Sequence, residues 1–377
     1  MTWRTTLFLV TVFGWLTAAE STATLPTRAE VTALINQAQA WSVAQAQPSG
    51  ALAPGALLTL GITAFSANAL SAEPLAISPT HPAMVGAIRY LLPFQQADGG
   101  VYNPEEGLGV YCTSLTLQLA MRLPDHGGFN VGAMQRYLFG LQNNDPGLGQ
   151  GGIGYGDKGK GFEDLSNTGY ALQALRASGV PAEDARMQAA LAFLQRCQDR
   201  SATNPAPWVT NSGGGVYGPQ EAARSWSKGD ETQAMRWTPT GGMTYQLLSS
   251  YLTLELKKDD PRVQAALSWV SHNYGFQQNP GMGSGKELQG LFHAHALAAT
   301  TFDLLGTATL TLPDGAVVDW RRDLWQALKT RAQTTTMPDG TIGCFWINEQ
   351  SRWGEGLPVL STAYAIRSLK AIAKALP

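Results

Sequence analysis

A carboxyl and an amide lie three residues apart directly behind a glycine-rich loop. The loop spans residues 149–156, and the polar residues that follow it are Asp164 and Asn167, at the start of an apolar stretch. Residues three apart on a helix share a face, so both side chains could meet one ligand. The structural interpretation is that Asp164 or Ser166 only caps the helix. Asp and Ser are common capping residues, so their identity favours this interpretation.

A histidine in an apolar setting is the second candidate for chemistry. His295 stands among alanines and leucines, where a buried, hydrogen-bonded histidine is the commoner outcome. As a general acid or base, or as a ligand donor, it is the minority interpretation. His293 and His295 are two residues apart and point to different sides of a helix, so we expect neither a metal site nor a cofactor.

The helix starts around these residues supply the remaining candidates. Aligned with one another, five of them share a polar position, and Thr59 is the sixth member by analogy. This column reads Thr59, Thr113, Thr168, Thr244, His295 and Thr362. A hydroxyl near a helix start usually bonds local backbone. The ligand-binding candidates at these starts are Tyr111, Cys112, Asp164, Asn167, Tyr245 and His295.

Helical patterns that could position these residues come in pairs. Apolar residues at three- and four-residue spacings predict twelve helices. The pairs are 30–45 with 54–69, 84–96 with 111–123, 131–142 with 166–178, 184–199 with 240–256, 261–274 with 288–305, and 319–334 with 357–375. Residues 307–315 read as a short strand and turn. The longest insert, 200–239, is rich in Gly, Ser and Trp and could form a lid.

The first helix of most pairs ends in a shared turn. An aromatic-Leu or similar dipeptide leads to a Gln, then to Gly and another aromatic, as in Tyr90-Leu91, Gln95, Gly99-Gly100 and Tyr102. Gln is expected to cap carbonyls at the helix end, Gly to turn the chain, and the aromatic to pack back on the turn.

This repeat resembles that of squalene and terpenoid cyclases and of protein prenyltransferase β-subunits. The resemblance covers nearly all of residues 24–377 and implies a single all-α domain, an α/α toroid with six inner helices ringed by six outer ones. It also implies that ligands enter where the inner helices begin. Helix N-termini carry partial positive charge and free N–H groups there.

The catalytic motifs that the resemblance implies are degenerate here. Where class II cyclases have Asp-x-Asp-Asp, this chain has Asp164-Leu165-Ser166-Asn167, which retains the first carboxyl alone. The zinc-binding Asp-x-Cys of prenyltransferases and the Cys-Gly-Glu-Gln of thioester domains are absent. A glycan-acting acid pair of Asp164 with Glu349 or Glu355 is conceivable, although nothing in the spacing selects it.

The loops before the inner helices contain both acidic and basic residues. They therefore show no cluster of positive charge that would attract an anion. The charged residues are Asp157, Lys158, Lys160, Asp164, Glu221, Arg224, Lys228, Asp230, Arg236, Lys286, Glu287, Glu349, Arg352 and Glu355. Most of them are interpreted as solvated loop charges.

Composition limits the class of protein further. The 377 residues are 44% hydrophobic and 14% charged, with a net charge of -2, which argues against a nucleic-acid binder. Residues 1–23 read as an export signal, with Arg4 before a short apolar run, and a membrane anchor is less favoured. Three cysteines leave at least one thiol free.

The function predicted from these features is binding. We expect an exported toroid that holds a small molecule (an isoprenoid or other lipid, or a glycan) or a protein at the inner-helix mouth. The alternative is an enzyme, either a divergent terpenoid cyclase or a glycan-acting hydrolase or lyase. An apolar, aromatic-lined cavity favours isoprenoids, and a groove with paired carboxylates favours glycans.

Overall fold

Helices dominate the structure, a computed structural model that describes residues 24–53, 55, 58–156, 162–219 and 238–377. Within these ranges there are twelve α-helices and two small antiparallel hairpins. Each of the twelve predicted helices overlaps one of them, so their existence and order are confirmed. No helix in the described ranges combines the length and apolar composition of a bilayer span.

Every second helix is largely buried. These helices are α2 (Thr59–Ser71), α4 (Gly109–Ala120), α6 (Leu165–Ala177), α8 (Gly241–Thr253), α10 (Leu291–Leu305) and α12 (Pro358–Ala375). In α4 every residue except Tyr111 is buried, as expected of a helix surrounded by protein. Each even-numbered helix packs on the next, and α12 packs on α2, which closes the circuit.

The alternate helices are amphipathic and lie outside this circuit. They are α1 (Arg28–Val43), α3 (Pro82–Leu91), α5 (Val131–Gly140), α7 (Ala185–Arg196), α9 (Pro261–His272) and α11 (Trp320–Arg331). α5, for example, buries Met134, Tyr137 and Leu138 and leaves the rest of its surface at least partly exposed. α3, α5, α7 and α9 each pack on the even-numbered helix before them, and α1 and α11 pack on α12.

Three of these outer helices begin with the same Asp-x-Arg sequence. At the start of α7, Asp184 accepts a hydrogen bond from the Arg186 backbone N–H at 2.9 Å, and its carboxylate pairs with the guanidinium at 2.7 Å. The starts of α9 and α11 repeat both contacts through Asp260 and Asp319. The side chain thus caps the helix while the arginine neutralises the cap.

The Gln that recurs in the turns of this chain does more than cap its own helix. Gln142 Nε2 donates to the carbonyl of Gly151 and to that of Arg186, both at 2.8 Å. Gln198 makes the matching bond to Arg262 at 2.9 Å. Since Arg186 and Arg262 lie at the starts of the next outer helices, this amide ties consecutive repeats together, which the capping interpretation missed.

The glycine of the turn is fixed by the same contact between repeats. Gly151 has φ +82°, and a Cβ there would lie 2.1 Å from the carbonyl oxygen of Ala189 in α7. A side chain would therefore meet both a strained backbone and a clash with the next outer helix.

Two hairpins correct the all-α prediction. β1 (Thr309–Thr311) pairs with β2 (Val317–Asp319), which confirms the strand and turn expected over 307–315. β3 (Gln333–Thr336) pairs with β4 (Ile342–Phe345), and this pair was not predicted. The predicted helix over 319–334 was too long because the threonines that follow Arg331 are β-branched and precede a Pro-Asp-Gly turn.

Candidate functional site

A cavity of about 480 Å³ lies where the first turns of the even-numbered helices meet. Its aromatic wall is formed by Phe65, Tyr111, Tyr155, Tyr170, Tyr217, His293, Trp353 and Tyr364. Its aliphatic wall is formed by Leu58, Ile62, Leu108, Leu115, Val216, Met243, Leu357 and Leu360. This volume and this apolar lining are typical of a site for a small organic ligand.

The spacing of residues along the helices places their side chains in the cavity wall. Tyr111 and Leu115 are four apart on α4, as are Leu360 and Tyr364 on α12, so each pair lies on one face. A glycine helps to keep the cavity open. Gly242 in α8 lines the cavity, and a Cβ there would have no neighbour among the described residues closer than 3.8 Å.

The hydroxyls of Tyr111, Tyr155 and Tyr217 form a polar part of the cavity wall, called the upper wall below. Tyr111 donates to Ser166 Oγ at 2.8 Å, and the hydroxyls of Tyr155 and Tyr217 lie 2.6 Å apart. Burial raises the pKa of Tyr111, Tyr155 and Tyr217 above the ordinary value. These groups are therefore neutral at physiological pH and act as hydrogen-bonding dipoles.

Asp164 caps α6 from behind this wall. Its Oδ1 accepts the Asn167 backbone N–H and its Oδ2 accepts Asn167 Nδ2, both at 2.7 Å. Burial raises the pKa of Asp164 to about 7, against hydrogen bonds from Asn167, Tyr217 and Ser166 that lower it. Asn167 Oδ1 is buried and has no hydrogen-bond partner among the described residues. Asp164 and Asn167 therefore bind each other. Their connection to the cavity is through Ser166 and Tyr217, which line it.

Glu355 is a second buried carboxyl, and it does line the cavity. Its Oε1 accepts the His293 backbone N–H at 2.7 Å, and its Oε2 accepts Asn348 Nδ2 at 2.6 Å. Burial raises its pKa to about 7, while these hydrogen bonds lower it. It caps α10, whereas Asp164 caps α6, and α8 lies between these two helices in the circuit. Glu349, the other carboxyl considered as a partner for Asp164, is exposed.

His293, which the sequence analysis considered only together with His295 as a metal pair, faces the cavity. Its ring lies parallel to that of Tyr170 at 6.4 Å and edge-on to that of Tyr364 at 5.5 Å. Burial, with a smaller effect from Arg367, lowers the pKa of His293 to about 4. It is neutral at physiological pH and behaves as a further aromatic wall residue.

The threonine column has a role that the sequence did not suggest. Each threonine of the column accepts a hydrogen bond from the backbone of the preceding loop, not from its own helix start. The contacts are Leu52 to Thr63 at 3.1 Å, Val101 to Thr113 at 2.9 Å, Ile153 to Thr168 at 2.9 Å, Gly215 to Thr244 at 3.0 Å and Trp346 to Thr362 at 3.1 Å. The first member is therefore Thr63 and not Thr59; the error arose because the helix was predicted to start at residue 54, whereas α2 starts at Thr59.

His295 occupies the same column, but its side chain donates a hydrogen bond to the loop where the threonines accept one. Its Nε2 lies 2.8 Å from the carbonyl oxygen of Phe276, so Nε2 carries the proton. Nδ1 is buried and finds no hydrogen-bond partner in the described part of the chain, and burial lowers the pKa of the ring to about 3. His295, Cys112 and Tyr245 all lie behind the cavity wall, so of the six predicted ligand-binding residues the wall includes Tyr111.

Few of the charged residues that were predicted to surround the mouth are found there among the described residues. Lys286, Arg352 and Glu355 line it. The predicted rim residues at 157–160 and 221–236 lie outside the described residues, as does the part 220–237 of the lid predicted over 200–239. In the described ranges, no group of three or more His, Cys, Asp and Glu side chains is placed to hold a metal ion. Cys112, Cys197 and Cys344 are buried and unpaired.

Sequence reasoning missed most of the cavity wall. Tyr155 and Tyr217 are the aromatics that follow the glycine turns, and this position was expected to pack on the turn. Tyr102 does so, since it stacks on Tyr137 at 5.5 Å. The helical residues Tyr170 and Tyr364 lie two residues after the threonine column, a signal that could have found them.

Comparison with known proteins identifies the fold. No family model and no curated protein matches the chain. Among solved structures, a variant of the type II terpene cyclase MstE from Scytonema matches with TM-score 0.58 and 14% identity, over 93% of this chain and 99% of that one. The fold is terpene cyclase-like.

Two other solved structures share this fold. A protein from Actinoplanes matches with TM-score 0.56 and 15% identity, over 91% of this chain and 99% of that one. A polysaccharide lyase matches with TM-score 0.52 and 11% identity, over 92% of this chain and 97% of that one. Identities this low show the architecture alone.

Proposed function

We propose that residues 24–377 form one α/α toroid of six helix pairs. Support comes from the closed circuit of even-numbered helices, with the odd-numbered helices packed outside it. The Gln142 and Gln198 contacts, which link one outer helix to the next, suit a ring built from repeats.

The toroid binds an apolar small molecule of the isoprenoid or lipid class in its central cavity. The observation that carries this proposal is the wall of the 480 Å³ cavity, which is built mainly from aliphatic and aromatic side chains. Transfer of an apolar chain from water into such a cavity is favourable. The tyrosine hydroxyls of the upper wall orient the ligand, and a protein partner is not required.

The ligand leaves unchanged, because the acid that cyclisation needs is incomplete. Protonating an alkene requires a strong, exposed acid held by neighbouring carboxyls. Asp164 lies behind the wall, Ser166 accepts a hydrogen bond from Tyr111, and Asn167 binds Asp164 through its amide. An amide cannot tune a partner carboxyl as a second carboxyl does.

The alternative function is an enzyme, a divergent terpenoid cyclase or a glycan-acting hydrolase or lyase. The observation that favours it is the pKa of about 7 of Asp164, since a buried, partly protonated carboxyl is a usable acid. A glycan site is less favoured, because Asp164 and Glu355 are both committed to capping helices and the wall between them is apolar.

Filling the cavity tests the binding proposal. A Cβ at Gly242 would make only ordinary contacts among the described residues, the nearest at 3.8 Å, and Gly242 lines the cavity, so a Leu there would take up cavity volume. We expect Gly242→Leu to weaken binding of geranylgeraniol, measured by isothermal titration calorimetry, by about tenfold or more. Its melting temperature should stay equal or rise, because Gly is a poor helix former.

The matched control is Gly140→Leu at the end of α5, where a Cβ would also meet no atom within 4 Å. It should leave geranylgeraniol binding at the wild-type level. Wild-type protein that binds no geranylgeraniol, or Gly242→Leu that binds it as well as wild type does, would contradict the proposal.

A further inference from the structure

The ring of His293 lines the cavity without a polar partner from the described part of the protein. Its backbone N–H donates to Glu355, and its ring contacts are with the aromatic rings of Tyr170 and Tyr364. Among the described residues, neither nitrogen of the ring takes part in a hydrogen bond. His295, two residues further along α10, differs because its ring donates to a backbone carbonyl.

An imidazole without a hydrogen bond is costly in an apolar wall. Burial is the main effect that lowers the pKa of His293 to about 4, so the ring is neutral at physiological pH. A neutral imidazole has one N–H donor and one nitrogen that accepts. A ligand group that hydrogen-bonds this ring would remove the cost of taking it out of water.

Space for such a group lies beside the ring, at Gly242. A Cβ on Gly242 would lie 3.8 Å from His293 Nδ1 and 3.8 Å from Asn279 Nδ2, and all three residues line the cavity. We call these three residues the polar niche. The amide of Asn279 is fixed in orientation, because Oδ1 accepts the Gly242 N–H at 3.0 Å and Nδ2 donates to Gln289 at 2.9 Å. Nδ2 carries two hydrogens, so the second is left for a ligand.

The carboxyl of Glu355 disfavours a negatively charged ligand group at this place. Its Oε1 accepts the His293 backbone N–H at 2.7 Å, so the carboxyl and the imidazole lie together where α10 begins. With a pKa of about 7, Glu355 is partly ionised at neutral pH. A ligand carboxylate or phosphate would meet a like charge, whereas a neutral group would not.

We infer that the ligand of the cavity is an alcohol whose hydroxyl lies in the polar niche, where it donates to His293 Nδ1 and accepts from Asn279 Nδ2. A hydroxyl suits the niche because it both donates and accepts hydrogen bonds and carries no charge. This inference rests on the proposed function and sharpens it, because it assigns the ligand to the isoprenoid or lipid alcohols and gives the position of the head group.

The experiment compares three probes that share one apolar chain, by isothermal titration calorimetry at pH 8. They are geranylgeraniol, its methyl ether, which accepts a hydrogen bond and cannot donate one, and geranylgeranoic acid, which is ionised. Wild type should bind the alcohol about tenfold or more tightly than the ether or the acid. His293→Phe keeps an aromatic ring beside Tyr170 and Tyr364 and removes both nitrogens. It should bind alcohol and ether within about twofold of each other, with its affinity for the ether retained.

Two further variants separate a hydrogen bond from a packing effect. His293→Asn replaces the ring by an amide that can accept a hydrogen bond, so it should recover part of the preference for the alcohol over the ether. The matched control is His272→Phe at the exposed end of α9, which should keep the whole preference.

Three results would overturn the inference while leaving apolar binding intact. They are equal binding of alcohol and ether by wild type, tighter binding of the acid than of the alcohol by wild type, and an undiminished preference for the alcohol in His293→Phe. Failure of all three probes to bind wild type would instead refute the proposed function.

Discussion

Opposing effects act on the carboxyl of Asp164. Burial behind the tyrosine wall disfavours its charged form, whereas hydrogen bonds from Asn167, Tyr217 and the backbone of Ser166 favour it. The first effect dominates and holds the pKa at about 7, well above the ordinary 3.8. The folded protein therefore binds this proton more tightly than the unfolded chain does.

This difference predicts how stability depends on pH. The contribution of Asp164 to the free energy of unfolding is complete below about pH 4 and is lost as pH rises through 7. Asp164→Asn cannot titrate, so its melting temperature relative to wild type should rise between pH 4 and pH 8. Thermal melts of both proteins across this range measure the change.

Asp184, another helix cap, provides a control of opposite sign. Its ion pair with Arg186 lowers its pKa to about 2, so its contribution is present above pH 4 and is lost as pH falls toward 2. Asp184→Asn should therefore follow wild type from pH 4 to pH 8. If Asp164→Asn also follows wild type in parallel over that range, the raised pKa of Asp164 is wrong.

Residue identity alone could not separate a site residue from a structural one. His295 looked singular in the sequence, yet it makes the loop contact that threonine makes in the other repeats. Tyr170 and His293 looked ordinary, yet they line the cavity. Which side of a buried helix faces the central axis depends on packing against two neighbours, and an all-round apolar pattern carries no such direction.

At the scale of elements, the turn glutamines Gln142 and Gln198 hold consecutive repeats together. Gln142 is buried and donates to the carbonyls of Gly151 and Arg186. Gln142→Ala should lower the free energy of unfolding by roughly 1–3 kcal/mol, because it removes both hydrogen bonds. Urea unfolding with an unchanged slope would measure this loss.

The control is an exposed glutamine on the outer helix α9. Gln264 donates to Lys258 at the surface, so Gln264→Ala should change stability by at most about 0.5 kcal/mol. Similar effects of the two substitutions would show that the link between repeats contributes nothing special.

The helices were predictable and the local exceptions were not. Spacing of apolar residues placed all twelve helices to within a few residues. The hairpin of β3 and β4 was missed because a helical pattern through α11 continues into Gln333, and the change to β-branched threonines is short. The Asp-x-Arg starts at Asp184, Asp260 and Asp319 are visible in the sequence and could have fixed three helix boundaries in advance.

At the scale of the whole molecule, the closed circuit of helices creates the cavity. Six helix starts converge on it, and their first two turns supply aromatic and aliphatic side chains, with glycines such as Gly242 leaving the central volume open. The cavity and its mouth could be anticipated from the repeat, whereas its lining could not. Export remains a prediction from residues 1–23, which lie outside the described residues.

The most direct test of binding without chemistry is to recover the ligand. Wild type and Asn167→Asp, which restores the fourth acidic position beside Asp164, are incubated with geranylgeraniol and with geranylgeranoic acid. Each protein is then separated by gel filtration, and its ligand is extracted and identified by mass spectrometry. The account predicts about one molecule per chain, chemically unchanged, from both proteins. A cyclised product from either protein, or no retained ligand in wild type, would contradict it.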